Sequence, residues 1–246
     1  MLERFWKLES LLRLALLVLM SISAGVFIGY LAIAPLAKAS KLDPNFVAQV
    51  MGFLSVQGLA LIWISIFVSE HDLTWAEAFG FRQAPGHSVT LAVATMLFAL
   101  PFALVVLGGG ISLLYHLLDS TPETQVTVSF IKNHPPAWQL IVMAFTAIVL
   151  APVAEEALFR GVLYTALKQR GYRNLAVWGN AVLFALIHFN IAALVPLLFL
   201  ALVWTWLYER TGNLLAPITA HMTFNAVNFA LLTVKLPTWL EKAVNP

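Results

Sequence analysis

The sequence of 246 residues contains no cysteine. Disulfide bonds, thiolate nucleophiles and cysteine metal ligands are therefore excluded. Charged residues are scarce as well: they make up 11% of the chain, whereas hydrophobic residues make up 61%. Soluble domains hold about 25% charged and about 45–50% apolar residues, so too little polar surface remains here to solvate a globule. The composition excludes a soluble protein, a disordered chain and a nucleic-acid-binding module, which needs a dense basic face.

Long apolar runs are what the sequence does contain. A transmembrane helix needs about 20 mostly apolar residues, and seven stretches approach or exceed that length. They are residues 14–34, 46–68, 89–118, 138–167, 175–189, 191–208 and 214–234. We therefore expect an all-α fold, a polytopic membrane bundle of about seven transmembrane helices that encloses a polar site within the membrane. Pro101, the glycines at 108–110 and Pro152 are the expected kink points.

The basic residues outside the apolar runs predict the orientation. With a cytoplasmic N-terminus, that side holds Arg4, Lys7, Arg13, Arg82, Lys168, Arg170, Arg173 and Arg210. The opposite side then holds Lys38, Lys41, Lys132, Lys235 and Lys242. The excess predicts a multi-pass protein of the cell membrane with its N-terminus in the cytoplasm. We expect the first span to be retained, because its apolar run exceeds the roughly 7–15 residues of a signal-peptide core.

Ionisable residues inside the apolar runs are few, and they form clusters with helical spacing. Each costs at least ~2.5–3.5 kcal/mol to insert into lipid, so such residues usually mark a function. The first cluster is Glu155-Glu156-x3-Arg160, in which Glu156 and Arg160 lie one helical turn apart and suit an ion pair. We interpret that pair as structural support. Glu155 lies roughly 100° away around the helix, which leaves it free to exchange protons.

Two further clusters lie on later apolar runs. They are Asn180-x3-Phe184-x3-His188 and His221-x3-Asn225. Taken alone, each cluster could be a stripe of polar side chains that holds helices together.

Depth in the membrane separates the two interpretations. At ~1.5 Å per residue, Glu155 and His188 lie roughly 18 Å and roughly 20 Å from the ends of their runs on one side of the membrane. By the same rise, His221 lies roughly 11–15 Å from the start of its run, on the same side. Independent helix contacts give no reason for this agreement, so it predicts one shared polar site.

The residues of that site support two kinds of hydrolysis. Glu155, His188 and His221 could hold zinc in an arrangement of two histidines and one carboxylate. Alternatively, Glu155 and His188 activate a water molecule while His221 and Asn225 donate hydrogen bonds to the oxyanion. Because an amide is a natural oxyanion donor and a poor zinc ligand, Asn225 favours the second scheme. We therefore expect no metal and no other cofactor, with zinc as the alternative.

Two motifs of other hydrolases are absent from the sequence. There is no His-Glu-x-x-His, the commonest zinc-protease helix motif, and no Gly-x-Ser-x-Gly. No serine lies near the three clusters. Serine chemistry is therefore disfavoured.

The three clusters resemble the motifs of the CPBP family of intramembrane proteases, which contains the CAAX prenyl endoproteases and the bacteriocin-processing and immunity proteins (the Abi family). The family pattern is Glu-Glu-x-x-x-Arg, Phe-x-x-x-His and His-x-x-x-Asn, in that order. Glu155-Glu156-x3-Arg160, Phe184-x3-His188 and His221-x3-Asn225 match it. The segment from Arg210 to Pro217 (Arg-Thr-Gly-Asn-Leu-x-Ala-Pro) is also similar to the family.

The resemblance implies a glutamate-type endopeptidase. It assigns water activation to Glu155 and His188, transition-state stabilisation to His221 and Asn225, and support to Glu156, Arg160 and Phe184. The implied organisation is a group of N-terminal transmembrane helices (1–137), a catalytic core like that of the CAAX proteases (138–232) and a C-terminal tail (233–246). The implied partners are the lipid bilayer and a peptide or protein substrate, lipidated or not.

Two rival functions lack a catalytic step. A non-catalytic immunity or binding protein of the same fold should tolerate the loss of Glu155, whereas a protease should not. A small transporter with a buried proton relay is expected to show paired repeats or matching broken helices, and the sequence shows none.

Overall fold

The computed structural model describes residues 5–121, 126–133 and 135–233, and every regular element in these ranges is a helix. The long helices begin and end close to the boundaries of the apolar runs. In chain order the helices are α1 (Leu8–Ser40), α2 (Pro44–Ser69), α3 (Trp75–Ala78), α4 (Pro85–Leu117), α5 (Val126–Lys132), α6 (Ala137–Gln169), α7 (Leu175–Leu186), α8 (Ile191–Thr211) and α9 (Leu215–Thr233).

Six of these helices are long and apolar enough to cross a membrane: α1, α2, α4, α6, α8 and α9. The protein is therefore a multi-pass integral membrane protein, and the predicted all-α polytopic bundle is confirmed. The predicted span at 175–189 is shorter than expected, because α7 ends at Leu186. A helix of this length rises only about 18 Å, which is less than the ~30 Å of the hydrocarbon core.

The chain reverses direction directly after α7. Phe189 adopts a left-handed conformation with φ of 47°, and the side chain of Asn190 caps α8 by accepting a hydrogen bond of 3.0 Å from the backbone N–H of Ala193. Helices α7 and α8 therefore form a tight helical hairpin. His188 lies in the turn of this hairpin rather than inside a helix.

The predicted kink points coincide with wider, π-helical turns. In α4 such a segment, Phe102–Gly108, directly follows Pro101 and ends at the first of the three glycines. In α6 the segment Thr146–Leu150 ends two residues before Pro152. Because proline lacks the N–H that a regular α-helix needs, it often accompanies such local rearrangements.

One end of the bundle brings together the segments that carry most of the predicted cytoplasmic basic residues. The side-chain amide of Asn213 donates to the carbonyl oxygen of Gln83 over 2.7 Å, and the backbone N–H of Trp6 donates to Gln169 over 3.1 Å. Lys168 forms an ion pair of 2.8 Å with Glu209. The N-terminal segment, the connection between α2 and α4 and the ends of α6 and α8 therefore share one side.

Part of the predicted topology lies outside the described residues. This applies to Arg4, Lys235 and Lys242 and to the C-terminal tail beyond Thr233.

Three glycines allow the close packing at that end. Gly212 ends α8 with φ of 61°, and Gly80 has φ of 71°. A Cβ on Gly80 would overlap the carbonyl oxygen of Gly212. At Gly161 in α6, a Cβ would lie 2.5 Å from the ring of Phe79. Side chains at these positions would push the α2–α4 connection away from α6 and α8.

The shared end gives the topology a direct test. A reporter fused within the turn between α6 and α7, at residues 168–173, should read cytoplasmic, because the basic residues of this end follow the positive-inside rule. A reporter fused in the turn between α1 and α2, beside Lys41, should read the opposite side. Alkaline phosphatase and green fluorescent protein fusions at both points measure the orientation. Phosphatase activity at 168–173 would invert the predicted topology.

Candidate functional site

A buried carboxylate organises the predicted site. Glu156 in α6 is fully buried, and its Oε1 accepts a hydrogen bond of 3.0 Å from Nη1 of Arg160, one helical turn later. The same oxygen lies 2.9 Å from Nδ1 of His221 in α9. Because a carboxylate only accepts, Nδ1 of His221 is the donor in this contact. The predicted ion pair between Glu156 and Arg160 is therefore present, and it includes a third residue.

Arg160 extends this network to a third helix. It is fully buried, and its Nη2 donates to the carbonyl oxygen of Ala201 in α8 over 2.9 Å. Its guanidinium carbon lies 4.8 Å from the ring centroid of Phe184 and 5.5 Å from that of Trp204. Such cation–π contacts are strongest where the cation is desolvated. Arg160 thus links α6, α7 and α8 around Glu156.

Glu155 has different surroundings from those of its neighbour. Its Oε2 lies 3.9 Å from Nε2 of His221, too far for a direct hydrogen bond, and its side chain keeps 19% exposure. Glu156 is closed off and paired, whereas Glu155 remains accessible. The two adjacent carboxylates therefore differ as the sequence predicts: Arg160 pairs with Glu156 and leaves Glu155 unpaired by it. His221 contacts both of them, one through each ring nitrogen.

His188 is held by the backbone of α7. Its Nδ1 lies 2.7 Å from the carbonyl oxygen of Phe184, so Nδ1 carries the proton and a neutral His188 presents a lone pair at Nε2. The ring of Phe184 is fully buried and lies 4.9 Å from His188 and 5.9 Å from His221, centroid to centroid. Phe184 thus separates and positions the two imidazoles. Within the described ranges His188 and Glu155 share no hydrogen bond or ion pair.

The two asparagines of the motifs are also anchored to backbone. Nδ2 of Asn225 donates to the carbonyl oxygen of Ala147 in α6 over 2.8 Å, which leaves its second N–H for another acceptor. Nδ2 of Asn180 donates to the carbonyl oxygen of Phe159 over 3.2 Å. Asn180 therefore joins α7 to α6, and Asn225 joins α9 to the π-helical segment of α6.

Trp204 is a residue of the site that the sequence did not reveal. Its ring stacks on His221 with centroids 4.0 Å apart and planes 17° apart, and it is fully buried in α8. This stacking and the bond to Glu156 fix the imidazole of His221 in two directions. A tryptophan within an apolar span carries no sequence signal that separates it from packing residues.

The zinc alternative requires Glu155, His188 and His221 to converge on one point. Among the residues that the structure describes, no group of three or more His, Cys, Asp or Glu could hold a metal ion. The Nδ1 atoms of both histidines are engaged, with Glu156 and with a backbone carbonyl, so Nε2 is the ring nitrogen that each leaves open, as is usual for metal-binding histidines. The choice between the metal-free scheme and the zinc scheme stays a prediction.

Comparisons with known proteins point to the same part of the chain. Residues 137–227 match the family described as type II CAAX prenyl endopeptidase Rce1-like. This stretch contains all seven residues that the motifs singled out, from Glu155 to Asn225. The resemblance inferred from the motifs is thereby confirmed.

Three curated relatives add detail. The chain is 23% identical to the candidate membrane peptidase YdiL of Bacillus subtilis (strain 168) over 163 residues, 66% of this chain and 64% of that protein. It is 36% identical over 83 residues to YpbD of the same organism, which is 32% of this chain and 40% of that protein. It is 30% identical over 78 residues to YxdF of Lactococcus lactis subsp. lactis (strain IL1403), 31% of this chain and 42% of that protein.

The chain spans less than two thirds of the length of each of these relatives. No solved structure matches it significantly. The family match and the site coincide in the α6–α9 region, where the buried Glu156, Arg160 and His221 meet. Residues 137–227 are thus similar to the type II CAAX prenyl endopeptidases of the Rce1-like family.

Proposed function

We propose that the protein is an intramembrane endopeptidase that hydrolyses a peptide bond of a membrane-associated or lipidated peptide or protein. The observation that carries this proposal is the position of Glu155. It is an accessible carboxylate beside an imidazole, at 3.9 Å, and it adjoins a carboxylate whose charge is already paired. A general base needs this combination of access and a free lone pair.

The proposed reaction begins with a water molecule held between Glu155 and His188. Glu155 takes one proton from the water, Nε2 of His188 accepts a hydrogen bond from its other O–H, and the oxygen attacks the carbonyl carbon. The carbonyl π electrons move to its oxygen, which becomes the oxyanion of a tetrahedral intermediate. When the intermediate collapses, the C–N bond breaks, and Glu155 passes its proton to the leaving amine.

The oxyanion is stabilised by two donors in this scheme. One is the second N–H of Asn225, since the first is bonded to Ala147. The other is Nε2 of His221, which donates when it carries a proton, while Nδ1–H stays bonded to Glu156. Donors fixed in advance by protein partners lose little freedom at the moment of reaction, which is why they stabilise a transition state effectively.

The rival function is a binding protein of the same fold with no chemical step. The charge pairing of Glu156 would serve either function, because it holds three helices together. The accessibility of Glu155 favours the enzyme. A carboxylate in lipid is costly, and this one makes no hydrogen bond to another helix among the described residues. The family name points to prenylated C-terminal CAAX peptides as the first substrates to try.

Substitution of the proposed water-activating residues should abolish cleavage. Glu155→Gln and His188→Ala should each lower kcat by roughly 10²–10⁴, because the general base or its partner is lost. Both variants should still insert and fold. Cleavage of a quenched-fluorescent farnesylated CAAX peptide in liposomes measures this effect. The matched control is Glu70→Gln, which removes a partly exposed carboxylate paired with Arg13 and should retain full activity. Cleavage by Glu155→Gln at the rate of the parent protein would leave only the binding function.

The proposed oxyanion donor should act on kcat alone. Asn225→Ala should lower kcat by about 10²–10³ and leave KM nearly unchanged, because the donor acts mainly in the transition state. The control is Asn228→Ala, one turn away, where the side chain donates only to Phe224 of the same helix. Steady-state kinetics with the same peptide separate the two constants.

Chelation provides the contrast with a zinc mechanism. In the proposed scheme cleavage should persist in the presence of chelators. One zinc per chain, together with activity that chelation removes and zinc restores, would contradict the scheme. In that case Asn225 would orient a zinc ligand, and Asn225→Ala would weaken metal affinity by roughly 10–100-fold.

Arg160 should matter for stability more than for chemistry. Arg160→Met leaves the buried Glu156 without its cation, so we expect the free energy of unfolding to fall by about 3–5 kcal/mol. Arg173→Met is the control, because its guanidinium is 71% exposed and lies 3.8 Å from Glu209. That substitution should cost at most about 1 kcal/mol. Reversible unfolding in mixed micelles measures both values. Equal losses in the two variants would contradict the supporting role of Arg160.

A further inference from the structure

The second transmembrane helix carries a polar face that neither the motifs nor the proposed mechanism uses. This face consists of Gln49, Gly52, Phe53, Val56 and Gln57. Their successive spacings alternate between three residues and one, so they share one side of α2. Together with Thr127 of α5 they line an open cavity of about 240 Å³. Two glutamines and a glycine on one face of a membrane helix are unusual, because lipid offers no partner for a side-chain amide.

Gln49 is the unsatisfied member of this face. Its side-chain nitrogen and oxygen are both buried, and neither has a hydrogen-bond partner among the residues that the structure describes. Leaving such a group unpaired costs ~1–3 kcal/mol. Beside it, a Cβ placed on Gly52 would meet no atom within 4 Å. Gln49 and Gly52 both line the cavity, and the described residues leave the space beside Gly52 unfilled.

The cavity adjoins the proposed catalytic site. The π-helical segment of α2, Leu54–Gly58, packs against Ala151–Glu156 of α6, the stretch that ends with the two carboxylates. Gln57 precedes Ser69, the last residue of α2, by 69 − 57 = 12 residues, which corresponds to a depth of about 18 Å. Glu155 precedes Gln169, the last residue of α6, by 169 − 155 = 14 residues, a depth of about 21 Å. The end of the polar face at Gln57 therefore lies within one helical turn of the depth of Glu155, and the face runs away from it toward Gln49.

We propose that this face binds the extended backbone of the substrate, with the amide of Gln49 pairing to one of its peptide groups. A side-chain amide has a donor and an acceptor side by side, which matches the N–H and C=O of a peptide. Gln49 and Gln57 are 57 − 49 = 8 residues apart, about 12 Å along the helix. An extended chain covers ~3.3 Å per residue, so the two amides are spaced to contact peptide groups three to four residues apart.

The inference rests on the endopeptidase function proposed above and assigns a substrate-binding role to residues outside residues 137–227. Lipid cannot satisfy the peptide groups of an unfolded segment. An enzyme that cleaves an extended peptide at this depth must therefore supply partners for the peptide backbone. The Gln49 side chain is a buried group with this capacity, about 12 Å along α2 from Gln57 on the same cavity wall.

Two variants test the role of the cavity. Gln49→Met removes the amide at nearly the same size, and Gly52→Leu fills the space beside it. Each should raise KM for a farnesylated CAAX peptide by roughly 5- to 30-fold, the effect of one or two lost hydrogen bonds, and leave kcat within twofold. Leu54→Met, on the exposed face of α2, and Gly110→Leu, also in open space, are the matched controls and should leave KM unchanged.

Thermal stability separates binding from a structural role. Removing a buried amide that has no partner should leave the melting temperature of the substrate-free protein unchanged or raise it. A melting temperature lowered by Gln49→Met, with KM unchanged, would show that Gln49 supports the fold instead and would overturn the proposal. KM values of both variants within twofold of the parent value would overturn it as well.

A binding measurement distinguishes failure of this inference from failure of the proposed function. Because the chain has no cysteine, Val56→Cys places a unique thiol in the cavity. In the Glu155→Gln background, the farnesylated peptide should slow maleimide labelling of this thiol at least fivefold. In the control variant Leu54→Cys, the labelling rate should be the same with and without the peptide. If the peptide protects the Val56→Cys thiol but the parent protein does not cleave the peptide, the binding site is sustained and the endopeptidase function is refuted. Cleavage without protection would sustain the endopeptidase and refute the binding site.

Discussion

The arrangement of the site depends on one buried carboxylate. Glu156 accepts hydrogen bonds from Arg160 and His221, and Arg160 in turn donates to the backbone of α8. An isolated anion in the membrane interior would be very costly, and only a charged and hydrogen-bonded environment makes it tolerable. The three helices that provide these partners must therefore stay in register with one another. The position of His221 follows from this requirement.

The environment separates the roles of two glutamates that are adjacent in sequence. Glu156 points to the centre of the bundle, where Arg160 pairs with it through the regular spacing of a helix. Glu155 lies around the helix and keeps part of its surface exposed beside Nε2 of His221. The residues Ala157–Tyr164 form a π-helical segment that starts directly after the pair, and π-bulges are frequent at functional sites. Glu156 is paired and Glu155 is accessible because the two side chains leave α6 in different directions.

The parts of this structure that the sequence predicted are those governed by local spacing. The apolar runs located the six long helices, and the separation of four residues predicted the pair of Glu156 and Arg160. Contacts between distant segments were beyond that reasoning. The bond between His221 and Glu156, 65 residues apart, and the stacking of Trp204 on His221 depend on how the helices pack. The length of α7 was also missed, because the apolar run continues through the turn at His188.

Gln49 and Gln57 were overlooked for a different reason. The carboxylates and imidazoles stood out because ionisable residues inside apolar runs are costly. Uncharged amides in the second apolar run are costly for the same reason, since lipid offers polar groups no hydrogen-bond partner. A side-chain amide that faces lipid or empty space is costly unless something pairs with it, and Gln49 has no partner in the described protein. The spacing of these two glutamines on one face was therefore a signal in the sequence.

The lack of hydrogen-bond partners in lipid also connects the fold with the proposed chemistry. A peptide bond can be hydrolysed only when its carbonyl is accessible, and an accessible peptide in an apolar medium is one whose backbone has left its helix. The protein must replace the hydrogen bonds that the substrate gives up, in addition to activating water. Charged groups cannot do this at low cost, because each would need its own buried partner, as Glu156 does. Neutral amides on a helix next to the carboxylates meet the requirement, which is why a polar face on α2 and a charged cluster on α6 belong to one proposed site.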